Sequence, residues 1–282
     1  MHLPKAFKTK LSEHKYAINA AMLGDQSSLP WSNLGYWQAG QHDYVLACAQ
    51  LADHLAQAVN LNSKDKLLDL GCGQGASLLF WQQHYQVQYL AGVELQAQHV
   101  ARIREQIPDL NAIYHASFLK LKEIQFSQKF DVVMCIDAAY HSPLITLLDN
   151  INSVLNSKAR IGFHTLIWSD QGQHLNSLQK LQYRMLLKSA DVHFNELKTA
   201  SQLKNILEQF EFKDIEIEDL SAQVLSGFAH YVKQDLNSKG RLKEKTSTKL
   251  DEFKIQMTAK LCEKLFRDGF VKYVQVTAQS IK

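Results

Sequence analysis

One stretch constrains the fold of this chain more than any other: the apolar run Lys66-Leu67-Leu68-Asp69-Leu70 leads directly into Gly71-Cys72-Gly73-Gln74-Gly75. The run reads as a buried strand, and a helix begins near Ala76. Without side chains at the glycines the backbone turns sharply, and a ligand can approach the free N–H groups of the helix N-terminus, whose dipole favours an anionic group. Glu94 closes the next apolar run, 19 positions after Gly75, where a carboxylate can accept both hydroxyls of a ribose. Together they predict a nucleoside ligand; the plainer alternative is a tight strand-to-helix turn with a surface glutamate. With Ala76 in third place the same residues also satisfy the dinucleotide fingerprint, so glycine count alone leaves the cofactor open.

Further apolar runs follow at Tyr89–Val93, Ala112–Tyr114, Phe130–Ile136 and Ile161–Ile167, with helical patterns between them at Gln98–Ile107 and Pro143–Leu155. This alternation is the spacing of parallel βαβ units, and strands covered on both faces are expected to be nearly continuously apolar. A helix over Asp43–Val59 leads into this core. After Ile167 the alternation breaks: His174–Leu187 and Ser201–Phe210 read as helices, with Thr199 or Ser201 near the start of the second. Lys213–Glu218 alternates like an edge or antiparallel strand, and a helix through Phe266 precedes a last strand at Val271–Val276.

Composition narrows the function. The 282 residues carry 31 Lys+Arg against 28 Asp+Glu, a net charge of +3, too balanced for a nucleic-acid binder. No run of about 18 apolar residues predicts a membrane span, and Met1–Lys8 lacks the apolar stretch of a signal peptide. Cys48, Cys72, Cys135 and Cys262 form no pair with metal-ligand or redox spacing, and they read as buried hydrophobes in a reducing cytoplasm. With only 12 Gly and 4 Pro and no linker-like run, the chain reads as one domain with appendages.

Leu68-Asp69-Leu70-Gly71-Cys72-Gly73-Gln74-Gly75 resembles the first motif of class I S-adenosylmethionine-dependent methyltransferases. Asp69, two residues ahead of the first glycine, is typical of that family and unusual in nicotinamide-binding loops. Asn33-Leu34-Gly35-Tyr36-Trp37 is similar to the lead-in segment of the small-molecule (type 11-like) members. Phe130–Val133 and Asp137–His141 resemble the fourth-strand motif, and Gly269–Val274 with Ala278 the last strand. The resemblance implies a Rossmann-like, doubly wound, seven-stranded and mostly parallel sheet. It implies an N-terminal helical lid over 1–62, a cofactor core over 63–168, an acceptor-side helical insertion over 169–205, and the rest of the sheet over 206–282.

By the same resemblance Asp69, Gly71, Gly73 and Gly75 flank the methionine part of S-adenosylmethionine, Glu94 binds its ribose and Leu95 packs on adenine. Tyr36 and Trp37 would close over the cofactor and meet its sulfonium with an aromatic face. Where the family often has an aspartate for the adenine amine, this chain has Ala116-Ser117-Phe118, with Ser117 offering a hydroxyl; Glu211 stands where a glycine usually precedes the sixth strand.

Ligands of open α/β sheets sit beyond the carboxyl ends of the strands, which makes Asp137 and His141 after the fourth strand the catalytic candidates. An ordinary imidazole titrates near pH 6.5, so His141 suits a general base; the bland reading is a helix-start residue bonded to nearby backbone. Asp137 would orient His141, bind a cationic acceptor or cap the next helix. His164, inside an apolar strand, reads as a core histidine, and Trp31 and Tyr44 as packing for the N-terminal helix. Residues 232–260 hold eight Lys+Arg against four acids, a pattern that reads as a solvated face rather than a lipid or RNA contact. The expected protein transfers a methyl group to a small-molecule acceptor, with no metal. A nicotinamide-dependent oxidoreductase and a catalytically silent cofactor-binding protein are the alternatives.

Overall fold

The computed structural model describes residues 19–236 and 249–282; the middle of the basic stretch, 237–248, and residues 1–18 lie outside them. The chain runs α1 (Tyr44–Ala58), β1 (Lys66–Leu70), α2 (Ala76–Phe80), β2 (Tyr89–Glu94), α3 (Ala97–Gln106), β3 (Ala112–His115), β4 (Phe130–Cys135), α4 (Leu144–Val154) and β5 (Leu155–Trp168). It continues through α5 (Ser177–Ser189), β6 (Lys198–Thr199), α6 (Ala200–Gln209), β7 (Phe212–Asp219), α7 (Gly227–Tyr231), α8 (Lys249–Asp268) and β8 (Val271–Ser280).

Seven strands lie side by side in the order β3-β2-β1-β4-β5-β8-β7, and the two-residue β6 pairs with the end of β5. All neighbours are parallel except β8, which runs antiparallel to both β5 and β7. Because β2 and β3 lie on one side of β1 and β4 on the other, the crossovers reverse direction at β1, and a crevice opens there at the carboxyl ends of the strands. Successive side chains point to opposite faces and build two cores. Leu67, Val132 and Met134 join α1, α7 and α8 on one side, while Leu68, Val133 and Phe163 join α4 and α6 on the other.

Local chemistry explains the helix ends. Asp43 accepts the Leu46 N–H and so caps α1 rather than joining it. Asn176 with Gln179, and Thr199 with Gln202, form reciprocal capping boxes that start α5 and α6. Glu211 adopts φ 63°, the left-handed conformation that a glycine would take without strain. β5 and β8 extend past the expected runs: β5 follows α4 without a loop, and the polar Gln275, Thr277 and Ser280 of β8 are buried between β5 and β7. Among the described residues all four cysteines are buried and free, no His, Cys, Asp or Glu cluster could hold a metal, and no helix is long and apolar enough to cross a membrane.

Candidate active site

A cavity of about 820 Å³ opens at the carboxyl ends of β1, β2 and β4. Pockets of roughly 300–1,000 Å³ hold one drug-sized ligand, so this one lies near the upper end. Asp69, Gly71, Gly73, Glu94, Leu95, Ser117, Phe118, Asp137 and His141 all line it, together with Trp31 and Leu34 before α1.

The glycine loop is tied down by β2: the Gly71 and Cys72 N–H groups donate to the Val93 carbonyl at 2.8 and 3.3 Å. A side chain at Gly71, at φ 67°, would put Cβ 3.3 Å from both Ala138 and Phe118; at Gly73, at φ 56°, it would meet Ser32 Oγ at 2.8 Å. The bare loop is thus a cradle that a Cβ would fill. Gly75 does not line the cavity. At φ 97° it precedes α2, and its missing side chain makes room for Ile103, whose Cγ1 would lie 2.7 Å from a Cβ.

The buried Glu94 carboxylate accepts the Gly73 N–H at 3.0 Å on Oε2 and the Gln96 N–H at 2.8 Å on Oε1. Each oxygen keeps a further lone pair, the number that two vicinal hydroxyls require. Leu95 follows with 59% of its surface exposed, an apolar plate beside it. Ser117 accepts the Leu119 N–H at 3.2 Å and starts a short turn that carries Phe118. Asp69 is buried and accepts the Trp81 indole N–H at 2.9 Å; loss of hydration pushes its carboxyl up to about 6, against the lowering effect of the Ser77 and Trp81 donors.

Asp137 takes φ 51° and is held from three directions. It accepts the Tyr140 hydroxyl at 2.8 Å, the Tyr273 hydroxyl at 2.9 Å and the Leu34 N–H at 2.9 Å. Burial raises its carboxyl to about 6, and both tyrosines are pushed well above their ordinary values by burial and by this carboxylate. The expectation that Asp137 orients His141 or caps the next helix is corrected: its contacts go to the tyrosines and Leu34, and the turn that follows has no side-chain cap. His141 Nδ1 instead lies 3.2 Å from the Asp191 carbonyl oxygen. A carbonyl only accepts, so this bond selects the Nδ1–H tautomer and places the ring's basic lone pair on Nε2.

Tyr36 and Trp37 are also corrected, since neither lines the cavity. Trp37 is buried, stacked on Tyr231 with ring centroids 4.4 Å apart, and donates its indole N–H to the Leu34 carbonyl at 2.8 Å. Tyr36 packs on His54 at 5.0 Å. The turn at Gly35, φ 76°, sends both rings away from the cavity and leaves Trp31 facing it, so the aromatic read as packing is the one that reaches the site. Tyr44 is buried and donates its hydroxyl to the Asn33 carbonyl at 2.9 Å. His164 is a core residue: it is fully buried, with Nε2 3.2 Å from Gln275 Oε1, and loss of hydration lowers its imidazole to about 3.

Two parts of the site escaped the sequence reading. Tyr273 lies near the start of β8, and because β8 is antiparallel its start, not its end, lies at the ligand edge; that reversal is the signal that marks it. The second is α8, which contributes Phe253, Met257 and Leu261 to a wall beside the end of α5, at Leu186 and Ser189. The expected insertion therefore supplies part of that wall and the last helix another part.

A family described as the methyltransferase domain matches residues 41–217. Over 112 residues the chain is 31% identical to the erythromycin 3''-O-methyltransferase of Saccharopolyspora erythraea; the match takes in 39% of this chain and 37% of that protein, so the chain spans little more than a third of the curated relative's length. The solved cyclopropane synthase MmaA2 from Mycobacterium tuberculosis superposes with a TM-score of 0.72 at 15% identity, over 96% of this chain and 99% of that one. Geranyl diphosphate C-methyltransferase from Streptomyces coelicolor A3(2), solved with Mg2+, geranyl-S-thiolodiphosphate and S-adenosyl-L-homocysteine, gives 0.68 at 17%, over 96% and 95%. The [4+2]-cyclase SpnF gives 0.65 at 17%, over 93% of this chain and 90% of that one. At these identities the solved structures speak for the fold alone.

Proposed function

The chain belongs to the methyltransferase-domain family, the class I S-adenosylmethionine-dependent methyltransferases, and from that premise we propose that it transfers a methyl group from S-adenosylmethionine to a small organic acceptor. The observation that carries this reading is the meeting of Glu94 with Gly73 at 3.0 Å inside a cavity that also holds Asp137 and His141. A carboxylate suited to a ribose, a bare loop and candidate acceptor groups then share one cavity.

When bound, S-adenosylmethionine supplies an electrophilic methyl group on a positively charged sulfur. Gly71 and Gly73 would admit its amino-acid part, Glu94 would accept the ribose hydroxyls, and Leu95, Ser117 and Phe118 would border the adenine. The acids Asp69 and Asp137 would favour its positive charges. Trp31 and Leu34, from the segment proposed as a lid, cover the cavity from one side and exclude water. In-line transfer depends mainly on orientation and on that exclusion. His141 Nε2 would take the proton of an acceptor that must lose one, while the Asp191 carbonyl holds the opposite ring nitrogen.

Thermal unfolding with S-adenosylhomocysteine beside NAD tests the reading, because a ligand that binds only the folded chain stabilises it by about 2.7 kcal/mol at a hundred times its Kd. Stabilisation by the thioether product and transfer of labelled methyl to a metabolite extract are expected. Stabilisation by NAD alone would replace the proposal with a nicotinamide-dependent oxidoreductase, and cofactor binding without transfer would leave a binding protein.

A further inference from the structure

The cavity is divided by charge. Around the glycine loop and the end of β4 its ionisable side chains include the acids Asp69, Glu94 and Asp137, whereas α8 lines it with Lys254, Lys260 and Lys264 and with none of its own acids; the remaining acid of the lining is Asp191, just after α5. Lys264 is neutralised by Asp268 at 2.6 Å. Among the described residues, neither Lys254 nor Lys260 lies within ion-pair distance of an acid. Six residues at 1.5 Å rise place them about 9 Å apart along the helix, and both line the cavity.

The same helix offers an apolar strip. Leu250, Phe253 and Met257 fall at i, i+3 and i+7, the spacing of one helix face. They are 60%, 60% and 44% exposed, and the last two also line the cavity. Exposed large apolar side chains that continue into a cavity mark a surface awaiting an apolar ligand. A lysine ammonium beside such a strip attracts an anion without demanding a fixed geometry.

We propose that the acceptor is a small anionic amphiphile whose apolar body lies along Phe253 and Met257 and whose negative group is attracted by Lys254 and Lys260. The proposal rests on the methyl-transfer reading only for naming this ligand the acceptor; binding itself does not depend on it. Opposite charges at the two ends would orient both ligands, the cationic cofactor toward the acids and the acceptor's anion toward α8, leaving the acceptor's nucleophile between them.

The test is isothermal titration of the full chain with dodecanoate below its micellar concentration, beside dodecyltrimethylammonium and butanoate, and separately with S-adenosylhomocysteine. Saturable binding of dodecanoate is expected, at least tenfold tighter than of either control. Lys254→Gln with Lys260→Gln should weaken it about tenfold, and Phe253→Ser with Met257→Ser by at least as much, with S-adenosylhomocysteine affinity unchanged in both. Equal binding of the cationic amphiphile, no saturable binding of dodecanoate, or an undiminished affinity in the lysine variant would overturn the proposal. Failure of the parent chain to bind S-adenosylhomocysteine while it still binds dodecanoate would defeat the methyl-transfer reading and leave the anionic-amphiphile site standing.

Discussion

Tyr273 donates its hydroxyl to Asp137 at 2.9 Å, joining the start of the last strand to the end of the fourth across 136 residues of sequence. With Tyr140 and the Leu34 N–H the contact makes Asp137 the point where the pre-helical segment, the sheet centre and the antiparallel strand converge. Desolvation of that carboxyl has a consequence for stability.

Asp137 titrates near 6 in the fold, against about 3.9 for a free aspartate. Between those values the folded chain holds a proton that the unfolded chain has released, so this group's contribution to stability falls as pH rises from about 4 to 6. Asp137→Asn removes that dependence and adds a constant cost where an amide replaces the oxygen facing the Leu34 N–H. Urea unfolding from pH 4 to 6.5 should show wild type losing of order 2 kcal/mol relative to the variant; a flat difference would contradict it.

Gly73→Ala should weaken S-adenosylhomocysteine binding. The residue sits at φ 56° and its new Cβ would lie 2.8 Å from Ser32 Oγ. The left-handed conformation costs roughly 1–2 kcal/mol for a residue with a side chain, and the added methyl narrows the cradle. Ser32→Gly combined with Gly73→Ala should recover only the steric part in a calorimetric titration. Full recovery would show that conformation plays no role.

Trp37 and Trp31 should separate stability from binding. Trp37→Phe keeps a ring over Tyr231 but loses the indole bond to the Leu34 carbonyl, for a cost of about 1–2 kcal/mol in unfolding and little change in S-adenosylhomocysteine affinity. Trp31→Phe reshapes the cavity wall and should alter that affinity. The reverse pattern would restore Trp37 to the cofactor site.

His141→Ala should lower kcat by roughly 10²–10⁴-fold for an acceptor that must give up a proton, with cofactor affinity retained. The acidic limb of the kcat profile, where the imidazole gains its proton, should vanish with it. Turnover equal to wild type at neutral pH would remove His141 from the chemistry.

His164 contributes a second pH effect, of opposite sign over an overlapping range. Its imidazole titrates near 3 in the fold and about 6.5 when free. The unfolded chain therefore takes up a proton first, and stability falls as pH drops from 6.5 toward 3. His164→Gln should flatten that loss in an unfolding series without reducing turnover; an unchanged slope would show that His164 is not what drives it.

Local patterns carried the architecture a long way. The apolar runs are strands because parallel strands buried on both faces need no polar alternation, and Gly71 to Gly75 turn the chain because positive φ is open to them. Glu94 was legible because its place at the end of β2 depends only on strand length and on the βαβ repeat. Thr199 is equally local, since a cap acts on N–H groups two or three residues away.

The aromatic sorting before α1 and the partners of Asp137 were not legible. Tyr36 and Trp37 differ from Trp31 in which way the turn at Gly35 sends them, and that depends on a bed formed by Tyr231, nearly two hundred residues later. Whether Asp137 serves His141, a cap or two tyrosines is decided by the antiparallel insertion of β8, and the cationic wall by where α8 comes to rest. The sequence by itself determined the parallel sheet, the glycine cradle and the place of the Glu94 carboxylate at the end of β2, because each follows from contacts within a few residues or one βαβ repeat. Only the tertiary structure decided which side chains enclose the cavity, because that choice depends on the packing of segments whose separation along the chain no local pattern records.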